Sequence, residues 1–274
     1  MIPTQKQKAE RFQELHRRPG VLLIPNPWDA GSARILAGLG FEAFTTSSAA
    51  AAGVMGRCDG QLTRDETLAH ARAIVEATDL PVAADLEHGF GDIPEAAAET
   101  IRLAAGIGLV GGSIEDARAE REKPVYDFSL AVERVAAAVE AVRTLRFPFT
   151  FVARAENFIR GNPNLDDTIK RLVAYEKAGA DVLFAPGLPD LAAVRAVCAA
   201  VSKPVNFAVA ARGRSFSVAE LVEAGVKRIS FAGSFYSAAM TGLLDAAREV
   251  REKGTFNYLD HAITRPDLNK FFAR

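Results

Sequence analysis

With 274 residues, 29.3 kDa and 49% hydrophobic residues, the chain can bury one large α/β core and has little room for a second full domain. Its 33 Lys and Arg against 34 Asp and Glu, a formal net charge of -1 mixed along the chain, offer no basic stripe for a phosphate backbone and no polybasic anchor for acidic lipid. Nucleic acid and membranes are therefore not expected as partners, and the two cysteines, Cys58 and Cys198, allow neither a disulfide framework nor a cysteine-built zinc site and read as inert thiols.

The first twenty residues are charged and carry no apolar secretory segment, so a cytoplasmic protein is expected. Short apolar, β-branched runs then recur at residues 21–25, 43–46, 82–85, 113–115, 150–154, 182–185, 205–208 and 228–231. Helical patterns such as 65–78, 129–145 and 165–178 separate them. This alternation is what buried parallel strands with crossover helices produce. Eight such units predict one closed (β/α)8 TIM-type barrel at about residues 20–254 of a single domain, 1–274. An open doubly wound sheet competes, but its glycine-rich phosphate turn is missing, because the first run leads into Asn26, Pro27, Trp28 and Asp29. Gly179 and Gly225, shortly before the sixth and eighth runs, read as helix C-caps. After the last run come a long helical pattern at 234–253 and a C-terminal helical tail at 255–274 with Tyr258, Leu259, Leu268, Phe271 and Phe272. These side chains need burial against the barrel bottom or a partner subunit.

Active sites of such barrels are built at the C-terminal ends of the strands. Those ends are acidic here. The third run finishes with Asp85 and continues through Leu86 to Glu87, the fourth finishes with Glu115 and Asp116, and the fifth with Arg154. Extended alternation would point Asp85 and Glu87 the same way, with Glu115 approaching from the neighbouring strand. Carboxylates converging on one mouth repel unless they share a cation, and oxygen donors without cysteine favour Mg²⁺ or Mn²⁺. The competing reading is pairing of the carboxylates with Arg154.

At this point the residues resemble a family. Asp85-Leu86-Glu87-His88-Gly89-Phe90-Gly91 is similar to the Asp-x-Asp-x-Gly-Tyr-Gly metal signature of the isocitrate lyase / phosphoenolpyruvate mutase superfamily, which includes 2-methylisocitrate lyases and phosphonomutase-like proteins. Thr45-Thr46-Ser47-Ser48 followed by Gly56-Arg57-Cys58-Asp59 resembles its second-strand segment, Ser113-Ile114-Glu115-Asp116 its next acidic strand end, and Val152-Ala153-Arg154-Ala155-Glu156-Asn157 its arginine-bearing fifth strand. The resemblance implies a Mg²⁺ (or Mn²⁺) ion held by Asp85, with Glu87, Glu115 and Asp59 acting directly or through water. It also implies a small 2-oxo acid such as pyruvate, oxaloacetate or 2-oxoglutarate, bound through Thr45, Ser47, Ser48, Asp85 and Arg154. The reaction would pass through an enolate whose developing charge a cation and aimed donors stabilise. Arg154 would contribute an essentially permanent positive charge, and with Glu115 and His88 it forms the candidate catalytic set. Glu156 and Asn206, at the ends of the fifth and seventh runs, are further candidate substrate contacts. The family assembles as tetramers that exchange a C-terminal helix, so a homotetramer or homodimer with a swapped tail is implied.

The departures matter as much. Glu87 stands where the family has aspartate. The stretch at residues 117–127 holds neither the lyases' Lys-Lys/Arg-Cys-Gly-His run, whose cysteine donates a proton, nor the mutases' Lys-Thr-Asn-Ser run. Cys58 lies on a different loop. Arg121 and Lys123 read as a solvated charged lid, and His16, His70 and His261 as surface residues; His88 is a general acid or base or else a loop histidine facing solvent or bonded to a neighbouring carboxylate. The expectation is a Mg²⁺-dependent carbon–carbon lyase, isocitrate/methylisocitrate lyase-like or oxaloacetate decarboxylase-like, acting on small 2-oxo or 2-hydroxy di- and tricarboxylic acids without the usual cysteine. A phosphoenolpyruvate/phosphonopyruvate mutase or phosphonate hydrolase is the alternative, and a weakly active 2-oxo-acid-binding protein is a third.

Overall fold

The computed structural model describes residues 2–118, 124–210, 213 and 216–273. Eight parallel strands form the barrel: β1 (Leu22–Ile24), β2 (Phe44–Thr45), β3 (Val82–Asp85), β4 (Gly111–Glu115), β5 (Thr150–Arg154), β6 (Val182–Phe184), β7 (Val205–Ala208) and β8 (Arg228–Ser230). Hydrogen bonding runs β1-β8-β7-β6-β5-β4-β3-β2. The remaining seam, between β1 and β2, is bridged by Thr45 N–H to Pro25 O at 3.1 Å and by Asn26 Nδ2, which donates to Thr46 O at 2.8 Å, while Asn26 Oδ1 accepts from Phe231 N–H, just after β8, at 2.8 Å. The (β/α)8 expectation is met, and every strand falls within two residues of its predicted run.

The crossover helices are α2 (Ala30–Gly38), α3 (Ser48–Val54), α4 (Arg64–Ala77), α5 (Pro94–Gly106), α6 (Phe128–Arg143), α7 (Leu165–Ala178), α8 (Leu191–Ala200) and α9 (Val218–Glu223). Capping fixes where several begin: Thr63 and Ser217 form capping boxes with Glu66 and Glu220, and Asp190 accepts from Ala193 N–H. Gly179 caps α7 in the left-handed region at φ 111°, as its position before β6 predicts. The main core lies between helices and sheet and includes Phe44, Ile74, Leu86, Ile101, Phe149, Phe151 and Tyr175.

An N-terminal helix, α1 (Gln5–Arg17), plugs the barrel bottom. Phe12 is 1% exposed, and a Cβ on Gly111 would come within 2.8 Å of both the Phe12 ring and Thr150 O, so the plug requires glycine there. The plug corrects one expectation. His16 is not a surface residue: its ring meets Phe12 edge-on at 4.6 Å with Nδ1 2.8 Å from Phe12 O, and burial, together with the charge of Arg228, lowers its pKa to about 4. His70 is likewise buried, its Nε2 2.8 Å from Trp28 O, whereas His261 is exposed as expected.

The last long helix, α10 (Ser234–Lys253), has no fully buried residue: Phe235 in its first turn stacks on Phe231 at 4.6 Å, and further along Leu243 and Leu244 face out. The final helix, α11 (Arg265–Phe272), packs on α2 of the same chain, where a Cβ on Gly38 would come within 2.5 Å of Phe271. Exchange of this tail between subunits is not part of the single-chain structure. No helix among the described residues is long and apolar enough to cross a membrane.

Candidate active site

Arg154 is the hub of the barrel mouth. Its side chain is 11% exposed and meets three carboxylates: Nη1 to Asp85 Oδ1 at 2.8 Å, Nη2 to Glu115 Oε2 at 3.0 Å, and Nε to Glu156 Oε1 at 3.0 Å. The register explains the meeting, because Glu115 and Arg154 are direct partners across β4 and β5. Arg160, on the loop after β5, adds a second guanidinium, with Nη2 3.0 Å from Glu115 Oε1 and Nε 3.8 Å from Glu156 Oε2. The second distance is too long for a hydrogen bond, and Glu156 Oε2 is buried without a partner. Burial raises the carboxyl pKa of both Glu115 and Glu156, against the pull of Arg154.

Asp85 also faces the start of α3. Its Oδ2 accepts from Ser48 N–H at 3.3 Å, its Oδ1 from Glu87 N–H at 3.2 Å, and its own N–H donates to Thr46 Oγ1 at 3.1 Å. Ser47 caps this short helix, its Oγ accepting from Ala50 N–H. Asp85 thus sits where unpaired helical N–H groups favour a negative charge.

Strand alternation does not carry Glu87 to the mouth. β3 stops at Asp85, Leu86 turns into the core fully buried, and Glu87 follows in the left-handed region at φ 48°. Phe90 is also left-handed, at φ 59°, conformations uncommon for residues other than glycine. A clamp holds this turn. Arg134 of α6, 1% exposed, donates to the carbonyls of His88, Gly91, Asp92 and Ile93 and lies over the Tyr126 ring at 4.3 Å, while Tyr126 Oη bonds Asp92 at 2.7 Å.

A cavity of about 370 Å³ opens beside this cluster. Of the predicted substrate residues, Thr45, Ser47, Ser48, Asp85, Arg154 and Asn206 line it, and of the predicted metal ligands Asp85 and Asp59 do. Glu87, Glu115, Glu156 and His88 are not in its wall. Asp85 and Arg154 therefore form a partition, with the cavity on one side and the other carboxylates behind. Burial and Arg134 hold the His88 imidazole below its ordinary pKa, favouring the neutral ring. Cys58 is exposed, on the loop after α3. Arg121 and Lys123 lie outside the described residues.

Whether the donor set suits a divalent cation is a question of charge. Four carboxylates, Asp85, Glu87, Glu115 and Glu156, stand against two guanidiniums, and Asp59 adds its field. Among the described residues no Lys or Arg pairs with Glu87; burial, with Asp85, Glu115 and Asp59 as like-charged neighbours, raises its pKa to about 8. Among the described residues no three Asp, Glu, His or Cys side chains stand at ligating spacing, because Arg154 draws Asp85 and Glu115 to itself. The raised pKa of Glu87 means that a proton relieves part of this excess, and a divalent cation in its place fits the hard oxygen donors in kind and in charge.

Asp116, next in sequence to Glu115, belongs to a different centre. It is 3% exposed and accepts from Tyr175 Oη at 2.6 Å, Arg171 Nη1 at 2.9 Å and Glu156 N–H at 2.8 Å. Arg171 also bonds Asp167 at 2.8 Å. Sequence reasoning did not single out Arg134, Arg160, Arg171 or Arg228. For Arg228 a signal existed, an arginine opening an otherwise apolar strand; the others sit on helices and loops with nothing local to distinguish them.

Known proteins share this architecture and sequence. Residues 12–251 match the profile of the family described as phosphoenolpyruvate phosphomutase. A solved structure from Burkholderia cenocepacia J2315, described no more closely than as a lyase/mutase, is 51% identical, covers 98% of this chain and 97% of its own, and superposes with a TM-score of 0.96. The 2-methylisocitrate lyase of Halalkalibacterium halodurans is 30% identical over 205 residues, 74% of this chain and 67% of that protein. A solved 2,3-dimethylmalate lyase is 27% identical, covers 97% of this chain and 95% of its own, and has a TM-score of 0.86.

Proposed function

Because the chain belongs to the phosphoenolpyruvate phosphomutase family, and is thereby an enzyme of the isocitrate lyase / phosphoenolpyruvate mutase superfamily, we propose that it is a Mg²⁺-dependent carbon–carbon lyase acting on small 2-oxo or 2-hydroxy di- and tricarboxylic acids. The observation that carries this reading is the partition of Asp85 and Arg154 between a cavity of about 370 Å³ and an over-acidic cluster. Asp85 would hold the ion, with Glu87, Glu115 and Asp59 contributing directly or through water. When bound, the ion supplies a Lewis acid for the oxygen that becomes negative as the carbon–carbon bond breaks.

The chain's own residues do the rest. Ser47 and Ala49 at the start of α3 and the hydroxyl of Thr45 receive the substrate carboxylate, since these residues line the cavity. Arg154 fixes the direction of Asp85 through its 2.8 Å contact and keeps a permanent positive charge at the cavity wall, where it stabilises a developing anion. Asn206, 3% exposed and in the cavity wall, supplies a neutral polar contact opposite. The missing cysteine at residues 117–127 argues against cleavage by the family's usual proton donor, and the missing asparagine and serine argue against phosphoryl migration.

A coupled assay with Mg²⁺ tests this, feeding isocitrate, methylisocitrate, oxaloacetate, 2-methylmalate-type acids and phosphonopyruvate separately and following 2-oxo-acid release. Turnover of a non-phosphorylated acid supports the lyase. Turnover of phosphonopyruvate alone would replace it with the phosphonate branch, and 2-oxo-acid binding without turnover would leave a binding protein. The exposed Leu243, Leu244, Phe256, Leu259 and Ile263 on α10 and the tail support assembly into a dimer or tetramer, with residues 255–274 contributing. Deleting the chain after Gly254 is expected to give a monomer or an insoluble product; an unchanged particle size would sink the assembly reading.

A further inference from the structure

Arg228 is a buried cation with no counter-charge among the described residues. It is 4% exposed, it lines the cavity, and its Nε has no hydrogen-bond partner. Among the described residues no carboxylate pairs with it. Burial alone lowers its pKa to about 10, and its charge is felt by His16 in the helix that plugs the barrel bottom. Arg228 opens β8, so it lies between that plug and the cavity and forms part of the cavity floor.

The floor has a second polar group in need of a partner. Asn206 is the direct strand partner of Arg228, is 3% exposed and also lines the cavity. Its Nδ2 donates to Ser230 Oγ at 3.0 Å, leaving Oδ1 buried with no partner. An amide nitrogen carries two N–H groups, so Nδ2 keeps its bond to Ser230 and has a second donor to offer. Arg228 and Asn206 would then present adjacent donors to one anion.

The register relates this floor to the mouth. Arg154, Phe184, Asn206 and Arg228 are successive partners across β5, β6, β7 and β8, and all four line the cavity. Three strand spacings of about 4.8 Å separate the two arginines along the curved row, and the chord across a closed barrel is shorter. Strand tilt sends the row downward from Arg154, so the arginines face one cavity from its rim and its floor.

We propose that Arg228, with Asn206, is a second anion-binding subsite that receives a carboxylate at the far end of the substrate and so selects dicarboxylic over monocarboxylic 2-oxo acids. This rests on the reading that the mouth takes the 2-oxo-acid head. An isolated buried guanidinium costs stability, and a ligand carboxylate removes that cost through charge-assisted, bidentate hydrogen bonds. A carboxylate held this way stays on its fragment. Expelling it as carbon dioxide would strip the guanidinium of its partner in the transition state, which opposes catalysis.

Calorimetric titration of the full chain in Mg²⁺ tests the subsite with two matched pairs, 2-oxoglutarate against 2-oxopentanoate and oxaloacetate against 2-oxobutyrate. Each pair exchanges one carboxylate for a methyl group. In at least one pair the dicarboxylic member is expected to bind wild type about tenfold tighter or more, the scale of one charge-assisted hydrogen bond. Arg228→Met is expected to abolish that preference with the methyl-ended member changed by less than about twofold, and Arg228→Lys to restore part of it. Unliganded Arg228→Met should melt no lower than wild type, since an uncompensated charge is gone. Equal affinity for both members in wild type, or equal weakening of both in Arg228→Met, overturns the subsite and leaves the head reading standing. Arg228-dependent binding of succinate without any 2-oxo monocarboxylate binding keeps the subsite and removes the head reading. Silence from every ligand removes both.

Discussion

Glu115 and Asp116 are neighbours in sequence, both are almost fully buried, and their surroundings are opposite. Asp116 has a guanidinium, a phenol and a backbone N–H to itself, each within 2.9 Å. Glu115 shares Arg154 with Asp85 and Glu156, and Glu87 stands near with no cation of its own among the described residues. The fold completes the charge balance in the first centre and leaves it open in the second. A structural ion pair needs nothing from solution, whereas an acidic excess behind a cavity wall is relieved by what binds there.

The two aspartates therefore fail differently. Asp116→Asn is expected to have the largest effect on folding, about 3 kcal/mol by thermal or denaturant unfolding, because it leaves Arg171 buried with part of its charge unanswered. Per folded molecule, its Mg²⁺-dependent ligand binding should be close to wild type; loss of binding without loss of stability would merge the two centres. Asp85→Ala is expected to do the reverse, removing Mg²⁺-dependent binding of 2-oxo acids by about 100-fold or more in calorimetry while the protein stays folded. Retained binding in this variant would end the assignment of Asp85.

The barrel floor sharpens the comparison, since it has cationic excess where the mouth has acidic excess. His16 is kept neutral beside Arg228, with a folded pKa of about 4 against about 6.5 unfolded. The unfolded chain therefore takes up this proton first. Stability from His16 is fully present above about pH 6.5 and is lost as pH falls through about 4, by at most about 3.4 kcal/mol. His16→Gln should flatten the unfolding profile in that window; an unaltered slope would show that the ring is not kept neutral. The smallest effect is expected from Cys58→Ser, with ligand affinity within about twofold of wild type, because the thiol is exposed on its own loop. A large loss there would move the chemistry away from Asp85.

Much of this was legible in the chain. The runs ending in Asp85, Glu115 and Arg154 became β3, β4 and β5 with those residues at their C-terminal ends, and the register set them side by side. Gly179 before β6 took the left-handed cap that its position requires. Glu87 was placed correctly near the acidic cluster but for the wrong reason, since a left-handed turn clamped by Arg134 brings it there rather than strand alternation. His16 and His70 were misread because their burial comes from the plug of α1 and the packing of α4 near Trp28, contacts across 42 residues in the second case.

The sequence by itself determined the eight-unit barrel and its acidic mouth, because apolar periodicity, caps and strand-end polarity are written in neighbouring residues. Tertiary structure decided which charges are answered. Asp116 meets Arg171 across 55 residues, Arg154 meets Asp85 across 69, and Arg228 meets no carboxylate among the described residues. Electrostatic balance depends on partners that only the closed barrel brings within a few ångströms, so it can be expected from a sequence but is fixed by the fold.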